Sequence, residues 1–436
     1  MTNTKKYNHL LDQINKIQKS TGIKTEITYY ITLELLFYNT ITKPENTYHV
    51  QPDETIYDET QDKFYLNTLN NNFNKIRKSK QVFNNIYLIE NYNIYNKSRL
   101  ESLNTLYKEI YKITKPLNSK ESEILYKTIL NNTQHKPKLR KIQENIQVFK
   151  KIEEKLIENH LQKEQPKILE YNMTTNSLTI DYLQKNNIKL DAYVNDIIEY
   201  SLILMLITIK NIDEEQYNII PRNNLFTDTQ NTKYDIILNI PEIKHDNWIQ
   251  DIKQDTTDNR EDLLNITSYK TIHQYLKEEG ILLYITKENY LYTNNYEEIR
   301  RDLTENHHIT SIISTSKQIN KLFGKQEYIL LIKDKNREDK IYFININYQP
   351  TDKDIDYLME IYNKPEEITD MAHLTTIDEI RENNYNLNFT RYINLYHKNN
   401  IELNNIINNI NELEKENLEK NKEIKNSCAK LGIYLY

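Results

Sequence analysis

Between residues 165 and 350 the chain alternates short apolar runs with stretches of helical periodicity. That alternation limits the folds open to it more than any other feature. The runs are PKILEY, IKLDAYV, YNIIP, YDIILNI, GILLYIT, ITSIIS, EYILLIK and KIYFINI. Each has the length and β-branched or aromatic content of a buried strand, and strands separated by helices predict an α/β domain with a largely parallel sheet. The close spacing within EYILLIKDKNREDKIYFINI predicts a terminal antiparallel hairpin. One intervening segment, NDIIEYSLILMLITI (195–209), is apolar nearly all round, as expected of a helix packed on the sheet.

The flanking regions differ in character. Residues 1–155 read as a helical N-terminal domain, with TEITYYITLELLFYNTI as its plainest helix and long polar connections such as TKPENTYHVQPDETIYDETQ. Residues 156–350 form the α/β unit, and residues 351–436 a C-terminal segment ending in a long amphipathic helix. Apolar residues at 401, 403, 406, 407, 410, 413 and 418 fall near a heptad spacing, the pattern of a coiled coil. That helix wants a partner, either another subunit or the protein's own body.

Several classes of chemistry are excluded. Four glycines, at 22, 280, 324 and 432, cannot build a Gly-rich phosphate loop or a nucleophile elbow. A single cysteine, Cys428, rules out internal disulfides and cysteine-rich zinc sites. The ten histidines contain no pair at the spacing of a helical zinc site, and the adjacent His307 and His308 are expected on opposite faces of a strand. No run of eighteen apolar residues could span a membrane, and the N-terminus lacks a signal-like apolar stretch, so a cytoplasmic location is expected. A net charge of −6 argues against an autonomous nucleic-acid binder, and the basic run HKPKLRK (135–141) could touch a phosphate backbone but in a chain this charged reads first as ordinary surface. The abundance of Asn, Ile, Lys and Tyr is what A/T-rich codons produce, although such bias should not erase a glycine that a working site requires.

The segment LTTIDEIRENNYNLNFTRYI (374–393), with Asn383, Tyr385, Asn386, Leu387, Asn388, Arg391 and Tyr392, resembles the closing signature of the modification subunit of type I restriction-modification systems. LKEEGILLYITKENYLYTNNYEEIRRDLTENHHITSIIS, with Gly280, Arg300 and Arg301, is similar to that family's strand, loop, helix and strand after its catalytic loop. IKTEITYYITLELLFYNTI looks like the opening of its N-terminal helical domain. The resemblance implies a Rossmann-like methyltransferase sheet, S-adenosylmethionine as cofactor, adenine in DNA as substrate, and a specificity-type or other restriction-modification subunit bound through residues 401–427.

The family's site motifs are where this chain departs. In place of Asp-Pro-x-Cys-Gly-Ser-Gly it has ILEYNMTTNSLTI (168–180): Glu170 stands for the acid, while Thr174 and Asn176 replace glycines. A β-branched Thr fills space the cofactor should occupy, whereas Asn still tolerates positive φ. The acid that grips the ribose hydroxyls aligns with Val194 in LDAYVND, with Asp191 and Asp196 as nearby substitutes. The catalytic Asn-Pro-Pro-aromatic loop survives only as Asn239, Ile240, Pro241 and Glu242, with Trp248 as a distant substitute ring. A flipped adenine needs a stacking surface that Glu242 does not provide. Glycines, ribose acid and ring are missing together. The expectation is therefore a catalytically inactive pseudoenzyme acting as a binding or scaffold subunit, with no cofactor and with DNA bound within a complex. An active S-adenosylmethionine-dependent adenine methyltransferase with diverged motifs and a self-standing protein-interaction module are the alternatives.

Overall fold

The computed structural model describes residues 3–84, 86, 97–133, 153–155, 157–158, 165–175, 177–185, 188–194, 197–221, 232–239, 266–314, 328–333, 339–345, 352–363, 371–393, 419–421 and 424. The N-terminal part contains α1 (Asn3–Thr21), α2 (Thr25–Ile41), α3 (Leu66–Ser79), α4 (Lys97–Thr114) and α5 (Ser119–Thr133). A two-stranded hairpin, β1 (Tyr57–Asp58) with β2 (Lys63–Phe64), interrupts these helices within the long polar connection. That connection is anchored by its few apolar residues: Tyr48, Val50 and Ile56 are all buried.

The α/β part is built on β3 (Lys167–Tyr171), β4 (Lys189–Val194), β5 (Tyr217–Pro221), β6 (Tyr234–Asn239), β7 (Leu276–Lys287), β8 (Ser311–Ser314), β9 (Tyr328–Lys333), β10 (Lys340–Asn345) and β11 (Ala372–Thr376). Their order across one nine-stranded sheet is β11-β10-β8-β9-β7-β6-β3-β4-β5. Strands β5 to β7 pair in parallel through β4, β3 and β6, as the alternation of runs and helices predicts. The expected β9–β10 hairpin does not form as a pair. β9 inserts antiparallel between β7 and β8, and β10 lies parallel to β8 on its far side, paired antiparallel with β11. The two strands do run in opposite directions, but β8 separates them.

Helices cover both faces. On the first lie α6 (Leu178–Lys185) and α7 (Ile197–Ile209), with α10 (Asp352–Asn363) beyond them; on the second lie α8 (Ile266–His273), α9 (Glu297–Glu305) and α11 (Ile377–Glu382). α7 is the all-apolar segment, and every residue from Ile198 to Ile209 is buried. A helix with no polar face needs cover on every side. The sheet supplies one side and α2 and α5 supply the other, so the N-terminal helices and the first sheet face share one core.

Polar ties reinforce that seam. Tyr48 donates to the Ile212 carbonyl and lies 2.8 Å from the Tyr217 hydroxyl; Asn46 Nδ2 donates to Thr208 O at 3.0 Å and Tyr126 OH to Leu202 O at 2.8 Å. Lys210, with its side chain fully buried, meets Glu123 of α5 at 2.7 Å and Asp181 of α6 at 3.2 Å.

Candidate functional site

In doubly wound sheets ligands bind beyond the carboxyl ends of the central strands. Here those ends are Tyr171 of β3, Val194 of β4 and Asn239 of β6. Alternation along β3 sends Ile168 to the first face and Leu169 and Tyr171 to the second, which puts Glu170 on the first face, toward α6. Its carboxylate is buried and accepts hydrogen bonds from the hydroxyls of Ser177 and Thr179, at the start of α6. The turn after β3 is thus closed by the acid that precedes it.

The other end of that turn is held by a residue that the sequence reading did not single out. Glu199 lies in the first turn of α7, is buried, and accepts from the Thr175 backbone amide at 2.6 Å. One carboxylate in an otherwise apolar helix was the available signal. Met173 N donates to Tyr193 O at 3.0 Å and Ser177 N to Thr174 O at 2.9 Å. The left-handed backbone of the turn falls on Asn172, at φ +62°, a conformation Asn adopts more readily than a β-branched residue. Asn176 lies outside the described residues, and Thr174 sits in the turn with an ordinary φ.

Val194 is fully buried in the core of the first face, alongside Leu190 and Ala192. Its side chain carries no atom that could accept a hydrogen bond. Asp191 sits three residues earlier on β4, where it accepts from Tyr234 OH at 2.8 Å and from Asn218 Nδ2 at 3.1 Å. It does not reach the end of the strand. Asp196 lies outside the described residues.

Asn239 is fully buried at the last position of β6. Its register partners are Tyr171 on β3 and Tyr284 on β7, and Tyr171 in turn pairs with Tyr193 on β4. One row therefore runs Tyr193, Tyr171, Asn239, Tyr284 across the second face, with the Tyr171 and Tyr193 rings stacked at 5.3 Å. The amide is the one non-aromatic member of this row. Ile240, Pro241, Glu242 and Trp248 lie outside the described residues, as do HKPKLRK and most of 401–427, where only 419–421 and 424 are described.

The model of the N-6 DNA Methylase family matches residues 150–400, more than half of the chain. The chain belongs to the N-6 DNA methylase family. Among solved structures, the type I restriction-modification methyltransferase subunit from Streptococcus thermophilus is 17% identical, with a TM-score of 0.61 over 90% of this chain and 100% of that one. A chain from work on complex assembly and conformational transition of the type I R-M system is 12% identical, with a TM-score of 0.54 over 97% of this chain and 98% of that one. At these identities the likeness is one of fold. No curated protein matches the chain by sequence.

Within this N-6 DNA methylase fold the closing signature has a structural part. Arg300 of α9, almost fully buried, donates from Nη1 to Tyr290 O (3.0 Å) and Thr293 O (2.8 Å) and from Nε to Tyr385 O (2.7 Å). Asn384 and Tyr385 both adopt positive φ to bring that carbonyl round. Leu387 N donates to Leu291 O at 2.8 Å, Asn388 caps the next turn through Thr390 N, and Tyr392 stacks on Phe343 at 4.3 Å. Arg391 Nη1 reaches Asn383 Oδ1 at 3.3 Å, and Tyr385 OH donates to Glu305 at 2.7 Å. The signature latches the C-terminal end of the domain onto the second face.

His307 and His308 are not on a strand. They occupy the turn after α9, with His307 at φ +54° and His308 N bonded to Leu303 O, because the helix ends in a left-handed residue before β8 begins. The His308 ring stacks on His273 of α8 at 3.9 Å. Burial, reinforced by His308, Lys333 and Lys233, pushes the His273 pKa down to about 3. Among the described residues no group of three His, Cys, Asp or Glu side chains could hold a metal ion, and no helix is long and apolar enough to cross a membrane.

Proposed function

We propose that this member of the N-6 DNA methylase family is catalytically silent and serves as a binding or scaffold subunit of a type I-like assembly, joined to a specificity-type partner through residues 401–427. The observation that carries the reading is the turn after β3. Glu170, the counterpart of the family's acid, is engaged by Ser177 and Thr179, and Glu199 holds the Thr175 amide. Backbone amides and carboxylates that should face a cofactor are satisfied within the protein instead. Val194, in the place of the ribose acid, is a core side chain, and each ribose hydroxyl left unpaired there would cost about 1–3 kcal/mol. The residues present do not fit S-adenosylmethionine in the way the family holds it.

The retained Asn239 favours the second reading, an active adenine methyltransferase with a rebuilt site, since an amide in an aromatic row is the group that would hold an adenine amino group. Calorimetric titration of S-adenosylmethionine into the purified protein separates the two. The silent-subunit reading expects no binding at millimolar cofactor, together with co-purification with a specificity-type subunit. Micromolar binding would overturn it and lead to a DNA methylation assay.

A further inference from the structure

The thirteen residues of α7 include one charged side chain, Glu199, and it is buried. Placing a carboxylate among Ile, Leu and Met side chains is costly unless its oxygens are engaged. Here the Thr175 amide donates to Oε1 at 2.6 Å, and the carboxylate stands in the first turn of its helix, where negative charge is favoured. Thr175 lies in the turn after β3, at the carboxyl edge of the sheet, where doubly wound folds take their ligands.

Both sides of this contact are fixed. In the turn, Met173 N bonds to Tyr193 O at 3.0 Å and Ser177 N to Thr174 O at 2.9 Å, while Glu170 takes the hydroxyls of Ser177 and Thr179. On the helix, Leu202 O accepts from Tyr126 OH of α5 at 2.8 Å, and Tyr200 OH donates to Val82 O at 3.1 Å. Burial, and next the charge of Glu199, pushes the Tyr126 phenol well above its usual pKa, so the field of the carboxylate reaches the N-terminal helices. An amide donor and a carboxylate acceptor held this firmly need no reorganisation to meet.

We infer that the turn after β3 is a carboxylate-binding site filled from within, with the Glu199 side chain on the Thr175 amide in place of a free carboxylate ligand. This rests on the silent-subunit reading of the same turn and gives it a cause. A ligand from solution must displace a tethered one, and tethering gives Glu199 a high effective concentration at the amide. The turn is thus closed by competition, and removing the side chain beyond Cβ opens a site of stated chemistry. The atoms lost in Glu199→Ala, one methylene and a carboxylate, have the size and charge of acetate.

The test is hydrogen exchange at the Thr175 amide, read by mass spectrometry of overlapping peptides from the full-length protein, as wild type, Glu199→Ala and Glu199→Gln. Exchange is expected to be about 10- to 150-fold faster in the Ala variant, the loss of one charge-assisted hydrogen bond. Sodium acetate at about 0.1 M should slow it again in that variant and leave wild type unchanged, with sodium chloride at equal ionic strength and neutral acetamide as controls. The Gln variant keeps an acceptor without the charge, so about 5- to 15-fold faster exchange is expected, with no response to acetate because the space is filled. Equal exchange in wild type and both variants would overturn the inference. So would an Ala variant that acetate does not protect, or that chloride or acetamide protects equally. Should the Ala variant not fold, the Gln exchange rate decides. Wild-type binding in the titration with S-adenosylmethionine would sink the silent-subunit reading, whereas the acetate response judges Glu199 with no cofactor present.

Discussion

Arg300 offers the sharpest test of how this domain is held together. Its guanidinium ties three backbone carbonyls, two in the loop after β7 and one at Tyr385, at 2.7–3.0 Å, and among the described residues no other cation reaches them. Arg300→Met keeps most of the buried volume and removes every donor. Each hydrogen bond from a charged group contributes about 1.5–3 kcal/mol, and a carbonyl left buried and unpaired costs about 1–3 kcal/mol. The terms overlap, and water reaches part of the loop once it loosens, so the expected loss is about 3–5 kcal/mol rather than the full sum. Arg300→Lys restores a charge without the planar fork and is expected to lose about 2 kcal/mol, because an ammonium cannot point at all three carbonyls from one position. Urea unfolding followed by far-ultraviolet circular dichroism measures both. An Arg300→Met protein within about 1 kcal/mol of wild type would refute the reasoning. The Tyr385 carbonyl would then need no partner, and the closing signature would not be a latch.

Two further outcomes follow from buried groups elsewhere. His273 has a folded-state pKa depressed to about 3, so above its unfolded value it contributes nothing. As pH falls below about 6.5 the unfolded chain takes up the proton while the folded chain does not, a loss of about 2 kcal/mol by pH 5. His273→Gln should flatten that part of the stability profile relative to wild type, and parallel profiles would show that the imidazole does not titrate as described. At Gly280 a Cβ would lie 2.8 Å from Leu276 Cδ1 and 2.9 Å from Asp235 O, in the irregular register between β6 and β7. Gly280→Ala should therefore cost about 1–3 kcal/mol in the same urea assay, and an unchanged midpoint would show that the strands can separate freely there.

The parts of this fold that were legible in the sequence are those set by local pattern. Eight apolar runs became β3 to β10, and the apolar stretch from Ile197 to Ile209 became a helix with cover on every side, because burial on both faces removes polar residues. β11 was missed, since AHLTT mixes polar and apolar residues and its burial is uneven. The placement of β9 between β7 and β8 leaves no local mark: a strand that enters antiparallel carries the same residues as one that forms a hairpin. In the site, the lack of any hydrogen-bond acceptor on Val194 was readable from residue type, whereas Glu170 reads as an acid in the right place and only the structure shows it engaged by Ser177 and Thr179. The engagement of Glu199 with Thr175, and the shift of left-handed backbone to Asn172, depend on which elements meet in space.

The position of β9 also orders events during synthesis. β8 has only β9 and β10 as neighbours, and both lie later in the chain. Until residue 333 has left the ribosome, β7 has no partner along one whole side, and β8 cannot enter the sheet. A nascent chain halted near residue 320 would present six residues of β7, Leu282 to Lys287, as an open apolar edge. Such an edge invites pairing with another chain.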